Sequence, residues 1–221
     1  MKPTARISLL IAIIAASLEL PAARGAVVTP DSATVATVNG EQFTTVDVPV
    51  YIRDLSGTPL GMDQPPGSKI QAYSFKVNYA PASAVQSITF TRAGITSALT
   101  PAFESSPSSA GSISLIDSFQ ESTNPIPFTL NAAAPGNQVA HLLVTLAPSV
   151  TPGTVITLTL DPTLTQLSND AGTTSETPTG ATLTLVNGAI TVIPSIPVIS
   201  HIGILLLALT LAIIGMRVIR F

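Results

Sequence analysis

Ile70-Gln71-Ala72-Tyr73-Ser74-Phe75-Lys76-Val77-Asn78-Tyr79-Ala80-Pro81 is the stretch on which the fold turns. Successive side chains of an extended chain point to opposite faces. Tyr73, Phe75, Val77 and Tyr79 therefore share one side, and Ala72, Ser74, Lys76 and Asn78 share the other. This period of two predicts a strand with an apolar face inside and a small polar face outside. The pattern recurs on both sides of it. Val46, Val48, Val50 and Ile52 fall on one face; Ala140, Leu142, Val144 and Leu146 alternate with His141, Leu143 and Thr145. Ile156, Leu158 and Leu160 alternate with Thr157 and Thr159, and Thr182, Thr184 and Val186 alternate with Leu183 and Leu185. Turn signals separate the runs: Asn39-Gly40, Ser56-Gly57, Pro65-Pro66-Gly67, Pro135-Gly136-Asn137, Pro152-Gly153 and Asn187-Gly188. Asn187-Gly188, between two short apolar runs, predicts a hairpin, because a type I′ turn needs positive φ at both central residues. Many short strands with threonines on their outer faces predict an all-β domain, an antiparallel sandwich.

The ends of the 221-residue chain differ from its middle. Residues 1–25 have the pattern of a secretory signal peptide. Lys2 and Arg6 precede the apolar run Ile7 to Ala16, and Ala23-Arg24-Gly25 offers a cleavage site before Ala26. An uncleaved anchor is the alternative. At the other end, Ile202 to Met216 carries no charge, and Arg217 and Arg220 follow. Pro194 and Pro197 cannot sit inside a helix, so Ser200 is the expected N-cap of a transmembrane helix. Ser200 to Arg220 is 21 residues, about 31 Å at 1.5 Å per residue, one bilayer crossing. The two arginines would stay on the cytoplasmic side, with everything before them outside. The expected organisation is thus a signal segment over 1–25, one β-domain over 26–192, and a Pro-containing motif with a membrane helix over 193–221. The middle is long enough to bury about 70% of its unfolded surface.

Composition excludes several activities. With no cysteine in the sequence, disulfide scaffolds, thiol enzymes and Cys-ligated metal centres are out. Nine Lys and Arg stand against twelve Asp and Glu, so no nucleic-acid partner is expected. The middle holds only Arg53, Lys69, Lys76 and Arg92 against eleven carboxylates, a net charge of −7, which favours solubility.

Candidate chemistry is sparse, and a non-enzymatic protein is expected. The middle has one histidine, His141, in an apolar strand; a nucleophilic triad needs a base beside Ser or Thr. The carboxylates lie scattered, mostly in or beside turns, and predict solvated loop charge rather than a paired acid and base. No cofactor is expected; the one alternative is a calcium ion framed by Asp161, Asn169 and Asp170. Without tryptophan, sugar binding would rest on Tyr51, Tyr73 and Tyr79. Protein binding through a sheet face remains, and the face carrying Ala72, Ser74, Lys76 and Asn78 is the candidate; a plainly solvated face is the alternative. Glu104–Gly111 (ESSPSSAG) is expected to be a flexible loop.

Two resemblances add to this. The tail Ile196-Pro197-Val198-Ile199-Ser200-His201-Ile202-Gly203-Ile204, with its apolar run and Arg217 and Arg220, resembles bacterial C-terminal sorting tails of the IPTL/PEP-CTERM type. The resemblance implies a Gram-negative exporter, a sorting protease acting on a motif that includes Ile196, Pro197, Ser200 and Gly203, and a mature protein held in a membrane or passed to the cell surface. The middle, from Ala33–Val38 through Gly40-Glu41-Gln42-Phe43, Thr45–Arg53, Ile70–Pro81, Val139–Leu146 and Val155–Leu160 to Asn187–Val192, resembles the cohesin domain. That resemblance implies a jelly-roll β-sandwich of about nine strands that binds dockerin modules through a flat sheet face, near polysaccharide-degrading or matrix assemblies. In the matched strand, type I members use an Asn and an Asp where this chain has Ala72 and Ser74. The alternatives from the residues are a carbohydrate-binding module of the same jelly-roll class, a hydrolase, and a passive structural surface protein.

Overall fold

A computed structural model describes residues 29–195. The proposed signal segment, and the tail positions Ile196, Pro197, Ser200, Gly203, Arg217 and Arg220, lie outside the described residues.

The chain lays down β1 (Asp31–Val35), β2 (Thr37–Glu41), β3 (Thr45–Arg53), β4 (Ala72–Ala80), β5 (Val85–Arg92), β6 (Phe103–Ser105) and β7 (Ser108–Ser109). It continues with β8 (Ser112–Ser118), β9 (Asn137–Leu146), β10 (Val155–Leu160), β11 (Gln166–Ser168), β12 (Ser175–Glu176), β13 (Leu183–Val186) and β14 (Gly188–Ile193). Two 3-10 turns, Ala82–Ala84 and Gly94–Thr96, are the helical content of the described residues. One sheet has the order β13-β1-β3-β9-β5. In the other, β4 carries β8 on one edge and β10 and β11 end to end on the other; β6 and β7 extend β8, β14 and β2 extend β10, and β12 closes β11. Joining β1 to β2, β6 to β7, β10 to β11 and β13 to β14 gives nine long strands and the short β12. This is an all-β sandwich with a jelly-roll arrangement.

Period two builds the core. Val46, Val48, Val50 and Ile52 face inward from β3, and Tyr73, Phe75 and Val77 from β4. Tyr73 and Phe75 stack with centroids 5.0 Å apart, and Phe75 reaches across to Phe90 of β5 at 6.2 Å. At Val139, β9 bulges against β3: Val50 pairs with Ala140 and Tyr51 with Gln138. The bulged carbonyl is not orphaned, because the Ala93 N–H, the Thr96 hydroxyl and the Tyr73 hydroxyl all donate to it, as a buried C=O requires.

Four expectations need correction. The sandwich is not purely antiparallel: β1 runs parallel to β13, and β2 parallel to β14. Asn187-Gly188 is not a hairpin, because β13 belongs to one sheet and β14 to the other. Gly188 serves closeness rather than positive φ: a Cβ there would lie 2.2 Å from Ala36 O and 2.6 Å from Val35 O, where the chain changes sheets. Asn39-Gly40 likewise lies inside β2, not in a turn, and a Cβ on Gly40 would meet Val46 Cγ2 at 2.4 Å. Glu104–Gly111 is not a free loop, since β6 and β7 hydrogen-bond along β8.

Candidate functional site

The outer face of the second sheet is centred on β4. Ala72, Ser74 and Lys76 are half-buried and Asn78 is exposed, while the alternate side chains enter the core. Across one edge Ala72 pairs with Ser118, Ser74 with Ile116, Lys76 with Ser114 and Asn78 with Ser112. Across the other, Ala72 pairs with Ser168, Ser74 with Gln166 and Asn78 with Thr159. Beyond β8, Phe103 stands opposite Ser118 and is 55% exposed. The structure thus brings the four candidate residues together on a surface four strands wide. Seven of these twelve side chains are Ala, Ser or Thr, short groups that keep the sheet flat and have little rotamer entropy to lose on contact.

Its charge is confined to one pair. Lys76 Nζ lies 3.8 Å from Asp161 Oδ2. Asp161 Oδ1 accepts from the Thr163 hydroxyl at 2.7 Å and the Thr163 N–H at 2.9 Å. These bonds hold the Asp161 carboxyl below the usual carboxylate range, helped by Asn78 and Lys76. Leu164, half exposed, sits at the rim, its carbonyl accepting from the Ser74 hydroxyl at 2.9 Å.

The calcium alternative is not assembled. Asn169 turns its amide to Gly67 O and Thr173 and accepts from the N–H groups of Thr173 and Thr174. Asp170 accepts from Glu121 N–H at 3.4 Å, and Asp161 is engaged with Thr163 and Lys76. Among the described residues no group of three or more His, Asp or Glu side chains is placed to hold a metal ion.

Elsewhere, Tyr73 is buried and Tyr79 packs against the core, so of the three tyrosines Tyr51, itself half-buried on the outer face of the first sheet, remains the candidate sugar platform. His141 pairs through Nδ1 with both Asp47 carboxylate oxygens at 3.1 Å on that same face.

The expectation of solvated carboxylates fails at four positions. Asp31, Asp54, Asp117 and Glu176 are wholly buried. Asp117 lies in the core beside Tyr73, and burial pushes its carboxyl up to about 6. The signal for it was present: Asp117 is in phase with Ile113 and Leu115, as Asp31 is with Ala33 and Val35. Glu176 carries no such signal.

No family model matches the chain, and no curated protein matches it in sequence. Among solved structures it is similar to the third ScaC cohesin of Acetivibrio cellulolyticus in complex with the ScaB dockerin, at 18% identity and a TM-score of 0.54 over 74% of this chain and 99% of that one. It is also similar to the OlpC cohesin in its dockerin complex from Clostridium thermocellum, at 13% identity and a TM-score of 0.53 over 76% and 96%. A third is the CaCohA2 cohesin of Clostridium acetobutylicum, in complex with a dockerin, at 22% identity and a TM-score of 0.51 over 73% and 99%. The shared feature is the fold: this sandwich is that of cohesin domains.

Proposed function

We propose that the chain is a non-enzymatic, exported cohesin-like module that binds a protein partner, of the dockerin type, through the outer face of β4, β8, β10 and β11. The observation that carries this reading is the flat, small-residue surface around Ser74 on a sandwich with the cohesin fold. Side chains this short let a partner helix or loop approach the sheet backbone closely. Lys76, Asp161 and Asn78 supply the polar groups that fix orientation, and Phe103 and Leu164 supply apolar rim contacts. Ala72 and Ser74, standing where type I members use Asn and Asp, make this recognition less charged.

The sequence patterns of the ends support the rest of the proposal. Residues 1–25 direct export, 26–192 form the module, and 193–221 place it in a membrane with Arg217 and Arg220 on the cytoplasmic side, or present it to a sorting protease. A Gram-negative cell surface, near polysaccharide-degrading or matrix assemblies, is the setting this reading implies.

Affinity capture from the secreted proteins of its own organism tests the proposal. Recovery of a dockerin-bearing protein that is lost with Ser74→Arg is the expected result. Recovery of glycan alone, lost with Tyr51→Ala, would overturn it.

A further inference from the structure

The end of the sandwich covered by the β3–β4 connection holds a pair of carboxyl groups that no binding role uses. Asp31 opens β1 and Glu176 closes β12, and both are 0% exposed. Each holds one end of a single short segment: Asp31 Oδ1 accepts from Leu55 N–H at 2.8 Å, and Glu176 Oε1 accepts from Leu60 N–H at 2.9 Å. Inside that segment the Thr58 hydroxyl bonds to Leu55 O and Leu60 O, and Leu60 is fully buried. The second oxygens, Asp31 Oδ2 and Glu176 Oε2, meet no N–H or O–H of another residue. The two carboxyls are near enough for each to act on the other's proton affinity.

Two buried, unpartnered carboxyl oxygens this near can bond to each other only when one of them carries a hydrogen, because two carboxylates have no donor between them. The surroundings favour that state. The carboxyl facing the pair from the end of β3 is Asp54, a third acid; behind it lie Asp63 and Lys69. Lys69 spends its ammonium on Met62 O and Gln64 O. Where β13 and β11 pair with these strands, they bring Leu183 and Leu167, which are uncharged. Burial first, and repulsion from Glu176 second, push the Asp31 carboxyl up to about 9, and burial pushes Glu176 up as well. A cation in place of the proton would need a ligand set that the described residues do not assemble.

We infer that Asp31 and Glu176 share one proton, and that this proton latches the Leu55–Leu60 segment to β1 and β12, so that alkali opens this end of the molecule. Loss of the proton leaves two buried negative charges in contact beside Asp54. The cheapest relief is local opening, in which the segment and the β11–β12 hairpin swing out and water reaches the carboxylates. The inference stands whatever the β4 face binds.

Hydrogen exchange of the full chain, corrected for intrinsic rates and read by mass spectrometry, tests it. Between about pH 6 and about pH 10, protection of residues 55–60 and 166–176 should fall about tenfold or more, while β3 and β9 keep theirs. Glu176→Gln supplies a permanent donor to Asp31 and should hold protection level across that range; Asp31→Asn does the same from the other side. Level protection in the unsubstituted chain would overturn the inference, as would an equal fall in both variants. Restoration of protection at high pH by millimolar calcium would overturn it too, by assigning the carboxylates a cation instead of a proton.

Discussion

The face around Ser74 and the end around Glu176 are neighbours in one sheet, since β12 pairs with β11 and β11 with β4. They handle polarity in opposite ways. On the face, short hydroxyls and one ion pair stay in contact with water, so each costs the fold almost nothing and is free to meet a partner. At the end, carboxyls are withdrawn from water and made to hold a backbone segment, so each is tied to stability and unavailable for binding. Polar groups in this sandwich are therefore open to contact where they are cheap and serve architecture where they are costly.

Substitution should separate the two regions, most strongly at the buried end. Asp31→Ala removes the acceptor of the buried Leu55 N–H and strands Glu176. It should cost about 2–4 kcal/mol, read as a lower urea midpoint at unchanged slope. A loss within the scatter of surface variants would erase the contrast.

The pH dependence sharpens the contrast within the buried acids. Asp31, pushed up to about 9, and Asp117, pushed up to about 6, keep protons in the folded chain that the unfolded chain has released. At these two sites folding therefore binds protons, and their contribution to stability is greatest in acid, near and below the ordinary carboxylate range. It falls as pH rises, through about 6 for Asp117 and on to about 9 for Asp31. Asp117→Asn should flatten the acid part of this decline by roughly 2–3 kcal/mol and leave the part above pH 6. Urea midpoints across the pH range measure both; a midpoint that climbs over that range would contradict the assignment.

On the face the effects on folding should be small. Ser74→Arg should change stability by no more than about 0.5 kcal/mol while blocking a partner. Lys76→Ala, which gives up the half-buried 3.8 Å pairing with Asp161, should likewise cost little, within about 0.5 kcal/mol. Thermal midpoints of the two variants beside Asp31→Ala show whether the ranking holds.

Where the chain alternates cleanly, its fold is legible. The alternating runs Val46 to Ile52 and Ile156 to Leu160 lie within the strands Thr45–Arg53 and Val155–Leu160, and the outer face of β4 follows from the same period. Two glycines misled because the dipeptides Asn39-Gly40 and Asn187-Gly188 carry the letters of a turn. Their actual constraint is the approach of another element, Val46 in one case and the backbone at Ala36 in the other, which local sequence does not encode. The Ser-rich stretch after Phe103 resembles slack in composition, yet its backbone completes a sheet edge. The buried acids are half legible: Asp31 and Asp117 sit in phase with core residues, but Glu176 is paired by a loop more than a hundred positions away, with Leu60 N–H 116 residues distant. For the candidate site, the sequence defines the surface and leaves its partner open, because Ala and Ser are compatible with many contacts.

The most direct measurement is the affinity of the chain for a dockerin-bearing protein recovered from its own organism, compared among the unsubstituted protein, Ser74→Arg and Tyr51→Ala. The account predicts that Ser74→Arg weakens binding about 30-fold or more while Tyr51→Ala changes it less than about twofold. Binding untouched by Ser74→Arg and lost with Tyr51→Ala would contradict it, moving recognition to the opposite sheet.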